Sequence, residues 1–411
     1  MKIVQFGLRY SPNFGDGVIS DCMAFGLQHL HPDAQIETVD ISGRDGYGVV
    51  TVKSRALIIG LLHYLPQWIR HRLAHWKLGK LLDEVEPAWR TTLANADLAI
   101  IGGGMLFSDA SLNFPIKVAR VCDLLTETDT PTAVYGVGVS RNWSPAGTEL
   151  FSKVFNTDLK MVAMRDETSR RAWAAQTPAA SFEPTLVLDP GILALDCYGP
   201  VAEKTNRIGI CVTDPRILGH HADSEIAGGA RGANAFYTDL INALVYRGHK
   251  VTLFTNGAEE DARAMAEVAA DPRMAAHKSS GFLSLAPTAS TPAELAKIIG
   301  SMKGVIAHRL HACIVAYSYG CPIVGLGWDQ KLQSFFGLVE ALDHFVEDPK
   351  VTGDTLADMM DHALAHPATA RDRARIREEA WTGLSVLLAQ IRPTSMAEAS
   401  VEVPQSRAVN T

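Results

Sequence analysis

Short apolar runs alternate with longer segments whose apolar positions recur at helical spacing. In the first half the runs at 2–8, 35–39, 98–101, 132–136, 159–164 and 185–188 read as strands. The stretches near 18–30, 86–95, 115–127, 146–156 and 167–175 read as helices. Short β runs that are apolar on both faces, separated by helices, predict a parallel sheet covered on both sides. Asp189-Pro190-Gly191 ends the pattern, and 194–206 reads as a linker containing Gly199-Pro200. The alternation restarts at 207–213 and continues with strands at 250–254, 305–307 and 323–326. Helices are predicted near 234–247, 259–270, 292–300 and 311–319, then at 354–366 and 369–391. The chain thus divides into an N-terminal α/β domain at 1–195, a second at 196–348, C-terminal helices at 349–393 and a disordered tail at 394–411. Two open α/β domains in tandem favour a ligand cleft between them, beyond the carboxyl ends of their strands.

Composition narrows the classes of function. The 411 residues include 38 Lys+Arg against 45 Asp+Glu, a formal charge of −7, and 47% are apolar. A largely disordered chain is excluded, because such chains are polar and highly charged. A dedicated nucleic-acid binder is disfavoured by the lack of a basic excess. The most apolar stretch, 56–65, is about half the roughly 20 residues a spanning helix needs. Six cysteines at 22, 122, 197, 211, 313 and 321 form no Cys-x-x-Cys pair and read as reduced, packed thiols. The N-terminus lacks the pattern of a signal peptide and reads as a first strand, so a cytoplasmic location is expected.

The candidate chemistry falls at predicted strand ends. Asn13-Phe14-Gly15-Asp16 follows the first strand and opens a helix, where backbone amides favour an anion. A plain βα turn would read the same way. Gly102-Gly103-Gly104 ends the third strand and permits close approach of a sugar or phosphate, or simply tight packing. Arg165 ends a strand ahead of Asp166-Glu167, placed either to fork a carboxylate or phosphate or to pair locally. The richest segment is His308-Arg309-Leu310-His311, between a β run and an apolar helix closed by Gly320 and Pro322. It puts a guanidinium and a titratable imidazole at a helix start; of the two histidines, His311 is favoured and His308 is expected on the other side of the strand. Asp329 and Lys331 follow the next strand.

Taken in order, these pieces resemble the polysaccharide pyruvyl transferase family. The resemblance runs from Asn13-x-Gly15-Asp16 through Gly102-Gly103-Gly104, Gly136-Val-Gly138, Arg165-Asp166-x-x-Ser169 and Asp189-Pro190 to Arg309-x-His311-Ala, Gly320-x-Pro322 and Asp329-x-Lys331. Gly17 stands where an acidic residue is usual, Trp328 where Tyr is common, and 43–82 reads as an insertion. The resemblance implies two Rossmann-like domains of GT-B-like architecture. It implies pyruvyl transfer from phosphoenolpyruvate to sugar hydroxyls of a polysaccharide or lipid-linked oligosaccharide, in exopolysaccharide or cell-surface glycan synthesis. Carried over by position, Arg165, Arg309, His311 and Lys331 are the expected catalytic residues. Asn13, Gly15, Asp16, Gly102, Gly103, Gly104 and Asp329 are expected to bind substrate. No metal and no cofactor beyond the co-substrate is expected. A GT-B glycosyltransferase using a nucleotide sugar and a non-catalytic glycan-binding protein remain the alternative readings.

The segment 54–82 adds a separate expectation. It carries Arg55, Arg70, Arg72, Lys77 and Lys80 with three histidines and no acid, while Leu61, Leu65, Trp68, Leu73 and Trp76 recur at near-helical spacing. Such a stretch is either a basic amphipathic contact with the inner face of a membrane or a helical pair folded onto the domain.

Overall fold

In the computed structural model the chain is described over residues 1–48, 67–178, 182–214, 233–327, 330–348 and 350–391. The apolar runs become strands because both of their faces are covered. Those of the first half are β1 (Lys2–Gly7), β2 (Gln35–Asp40), β3 (Leu98–Gly102), β4 (Thr132–Val137), β5 (Leu159–Met164) and β6 (Thr185–Leu186). They form a parallel sheet in the order β2-β1-β3-β4-β5-β6. Its connections include helices α1 (Phe14–Leu30), α2 (Gln67–Leu93), α3 (Asn113–Glu127), α4 (Pro145–Ser152) and α5 (Glu167–Gln176). Every residue of β3 and of β4 is buried, as a strand sandwiched between helical layers requires.

The second half repeats the design. Strands β7 (Arg207–Cys211), β8 (Lys250–Phe254), β9 (Leu283–Leu285), β10 (Gly304–Ala307), β11 (Ile323–Leu326) and β12 (Phe345–Val346) pair in parallel, in the order β12-β11-β10-β7-β8-β9. The expected linker contains a short helix, α6 (Ala194–Tyr198), preceded by a 3₁₀ turn at Pro190–Leu193. Beyond it lie α7 (Ala233–Tyr246), α8 (Glu259–Ala270), α9 (Ala275–Ser279), α10 (Pro292–Gly300), α11 (Leu310–Ser318), α12 (Gln330–Leu338), α13 (Gly353–Ala365) and α14 (Ala370–Ala389). Each sheet reverses its winding once, between β1 and β3 and between β7 and β10. Ligands of doubly wound folds bind beyond the strand ends at such reversals.

One reading of the sequence is corrected and others are extended. The helix predicted at 86–95 is the end of α2, which runs unbroken through Pro87. The missing amide there costs one hydrogen bond. Leu82 and Trp89 are anchored in the core, and Arg120 bonds both Asp83 and Glu86, so the helix holds across the proline. Strands β9 and β12 and helix α12 were not foreseen. The tail at 394–411 lies outside the described residues, as does 49–66 of the basic segment.

The last helix does not stay with the second half. Ile376, Leu384 and Leu387 of α14 are buried in one cluster with Val18, Met23 and Leu27 of α1. Gly26 of α1 leaves room for the Leu384 methyl, and Arg377 holds Asp196 of α6 at 2.7 Å. No helix of the described residues is long and apolar enough to cross a membrane.

Candidate active site

The reversal point of the first sheet carries two glycine-dependent turns. Gly103 and Gly104 follow β3 with φ of +77° and +68°, a region side chains avoid. A Cβ on Gly103 would lie 2.8 Å from Ile19 Cγ2 of α1. A Cβ on Gly102 would lie 3.0 Å from the Tyr135 carbonyl. The triple glycine thus lets α1 pack against the strand ends. Gly104 remains close to Asp16, whose Oδ1 lies 3.5 Å from the Cβ position.

Asn13 caps α1, accepting from the Gly15 amide at 3.4 Å. It also receives the Asn256 Nδ2 at 3.4 Å, while the Phe14 amide donates to the Asn256 carbonyl at 2.8 Å. Asn256 follows β8, so this turn joins the two halves. Gly15 brings the chain against the other half again: a Cβ there would lie 2.6 Å from His311 Nδ1.

His311 comes from the first turn of α11, which follows β10 at the reversal point of the second sheet. Its Nε2 is 3.4 Å from Asp189 Oδ2. The same oxygen accepts from Arg165 Nη1 at 3.3 Å, and Asp189 Oδ1 accepts from the Gly191 amide at 2.9 Å. Asp189 thus gathers an arginine from the end of β5 and a histidine from the second half, all three nearly buried. Burial alone pushes the Asp189 carboxyl up, but the His311 imidazole and the Arg165 guanidinium outweigh it and hold the pKa below the ordinary value. Gly138 clears the space for Arg165, since a Cβ there would lie 3.0 Å from Nη2 and would strike Met105. Arg165 Nε lies 3.6 Å from Asp166 Oδ2, so Asp166 and Asp189 flank the guanidinium, while His311 Nε2 faces Asp189.

Arg309 is the residue before α11 and turns away from this group. Its Nη2 donates to Asp261 Oδ2 at 2.6 Å, and Asp261 in turn accepts from the Asp214 amide at 2.8 Å. Burial raises the Asp261 pKa, and Arg309 opposes that rise without cancelling it. Arg309 Nε is likewise buried without a hydrogen bond. Lys331 lies in the first turn of α12, partly buried. Thr168 of α5 and Ser334 of α12 approach to 3.5 Å, which sets the start of α12 beside the helix that follows Arg165. Asp329 lies outside the described residues.

His308 faces the other side of the strand, as the sequence reading expected. Its Nδ1 is 3.1 Å from the Leu326 carbonyl, and its ring packs near Phe236 and Tyr237. Burial pushes its pKa down to about 4. The unfolded chain, with an imidazole near pH 6.5, therefore binds more protons between those two values, and stability falls as pH drops through that window. His308→Gln should flatten the fall, as read by urea unfolding at pH 7, 6 and 5. Parallel curves for the two proteins would contradict this.

Asp189 is the residue the sequence reading undervalued. In the sequence it only ends the strand pattern and stands in the Asp189-Pro190 motif, with nothing to mark a partner. A family model, polysaccharide pyruvyl transferase, matches residues 13–330. No curated protein matches the chain in sequence. Among solved structures, the chain is similar to UDP-GlcNAc 2-epimerase from Methanocaldococcus jannaschii, in complex with UDP-GlcNAc and UDP. The TM-score is 0.50 at 8% identity, with 94% of this chain and 98% of that one covered. It is also similar to a UDP-forming trehalose-phosphate synthase from Burkholderia xenovorans, at a TM-score of 0.51 and 11% identity over 96% and 99% of the two chains. These likenesses show the fold alone, two α/β domains in the GT-B arrangement.

Proposed function

Because the chain belongs to the polysaccharide pyruvyl transferase family, we propose that it transfers the pyruvyl group of phosphoenolpyruvate to sugar hydroxyls of a polysaccharide or lipid-linked oligosaccharide. The observation that supports this most is the meeting of Arg165, from the end of the first sheet, and His311, from the second half, on buried Asp189.

Phosphoenolpyruvate is a small, highly charged anion, and cations at the ends of both sheets suit it. In the proposed reaction, protonated His311 donates its proton to C3 of the enol, which makes C2 electrophilic. A sugar hydroxyl adds its oxygen to C2 and returns its proton to His311, and the C2–O bond to phosphate breaks. A second hydroxyl of the same sugar then closes the cyclic ketal at C2, and its proton leaves with the departing inorganic phosphate. Arg165 binds the carboxylate or phosphate beside His311, Arg309, held by Asp261, adds positive charge at the end of the second sheet, and Lys331 offsets charge that develops on the leaving phosphate. Asp189 orients His311 and Arg165 and balances their charge. We place this activity in exopolysaccharide or cell-surface glycan synthesis on the cytoplasmic side.

The fold by itself suits a nucleotide sugar equally well, so the donor is the first thing to measure. Titration calorimetry should show saturable binding of phosphoenolpyruvate and none of UDP-GlcNAc; the reverse would replace the transferase reading with glycosyl transfer. Gly15→Ala is a sharper probe of the architecture. Its Cβ enters the space of the His311 ring, so phosphate release should fall at least about ten-fold, since small misplacements of a catalytic group cost that much or more. Unchanged turnover in the Gly15→Ala protein would mean that the His311 position is not critical.

A further inference from the structure

We infer that the outward face of α2 docks on an anionic membrane surface. The helix has two apolar sides. Ala74, Leu78, Leu82 and Val85 turn inward and join the core of the first domain. At about 100° per residue, Arg72, Trp76, Lys80, Leu73 and Lys77 fall within an arc of about 140° on the opposite side. Trp76 is 71% exposed and Leu73 42%, so neither is covered among the described residues. Arg72, Lys77 and Lys80 are exposed around them. No acid occurs from Ser54 to Leu82, and the basic face ends at Asp83 and Glu84.

An amphipathic side chain set of this kind fits one occupant best. Indole and leucine enter the boundary between headgroups and acyl chains while the lysines and arginine remain at the phosphate level. A second copy of the chain fits poorly. In a two-fold contact the same face meets itself, and three cations would oppose three cations. An anionic lipid surface supplies the opposite charge and the apolar layer together.

Co-sedimentation of the full chain with vesicles tests the proposal. Binding is expected to vesicles of equal parts phosphatidylglycerol and phosphatidylcholine, weak binding to phosphatidylcholine alone, and release by added salt. Each basic residue near such a surface contributes about five-fold to partitioning, so Lys77→Glu with Lys80→Glu should reduce binding more than ten-fold. Trp76→Ser should also weaken it, with unfolding temperature unchanged because the side chain lies outside the core. Equal binding to both vesicle types, wild-type binding by these variants, or a dimer that Trp76→Ser disperses would each overturn the assignment. The assay contains neither donor nor acceptor, so its failure would leave the transferase reading untouched.

Discussion

His311→Ala is expected to lower phosphate release by about 10²–10⁴-fold, the range for loss of a positioned general acid. The assay is phosphate appearance from phosphoenolpyruvate with a competent sugar acceptor. The fold should survive, because Asp189 keeps its bonds to Arg165 and to the Gly191 amide when the imidazole is gone. Phosphoenolpyruvate binding should weaken far less than turnover, since Arg165, Arg309 and Lys331 remain. A variant that turns over near the normal rate would remove His311 from the proton-transfer role. One that binds no donor would make it a binding residue instead.

The second large effect is predicted for Asp189. Asp189→Ala leaves Arg165 buried without the carboxylate it bonds to, and removing one partner of a buried pair costs about 3–5 kcal/mol. Asp189→Asn preserves the volume and removes only the charge, so it separates packing from electrostatics. The folded pKa of Asp189 is depressed, so its ionised form contributes stability at pH values above the unfolded value of about 4. That contribution is lost as pH falls through the lower folded value. Urea unfolding of Asp189→Asn should therefore show lower stability at pH 7 and a shallower decline in acid than the parent. In turnover, kcat should fall more than KM rises, because a positioning residue acts through His311. A stability–pH curve identical to the parent's would show that the carboxylate is not coupled to its neighbours.

Much of the fold was legible because most strands are buried on both faces. Runs such as Leu98–Gly102 and Leu159–Met164 are hydrophobic enough to be read without any knowledge of their neighbours. Strands β9 and β12 are short edge strands, with Ser284 and half-exposed residues in place of an apolar run, so no periodicity marks them. The extent of α2 is hidden in the sequence because Pro87 locally resembles a helix start, and only distant Arg120 shows why the helix continues. Strand-end position and residue type were enough to set Arg165, Arg309 and His311 at strand ends and a helix start, where the structure has them. What they bond to was not legible. The Arg165 partner lies 24 residues away, and the Arg309 partner 48 residues away on another helix. A carboxylate between a short β run and a proline is a signal only when the chain around it is already folded.

The return of α14 to the first domain has a consequence for how the protein is made. Synthesis proceeds from the N-terminus, and domains generally fold as they emerge. Here the surface of α1 around Phe25, Gly26 and His29 lacks its cover of Trp381 and Leu384 until residues 370–389 have been released. The domain begun first is completed last. During translation this part of the helix stands without α14 while the whole second domain is produced. A chain cut short before Ala370 would keep that surface open.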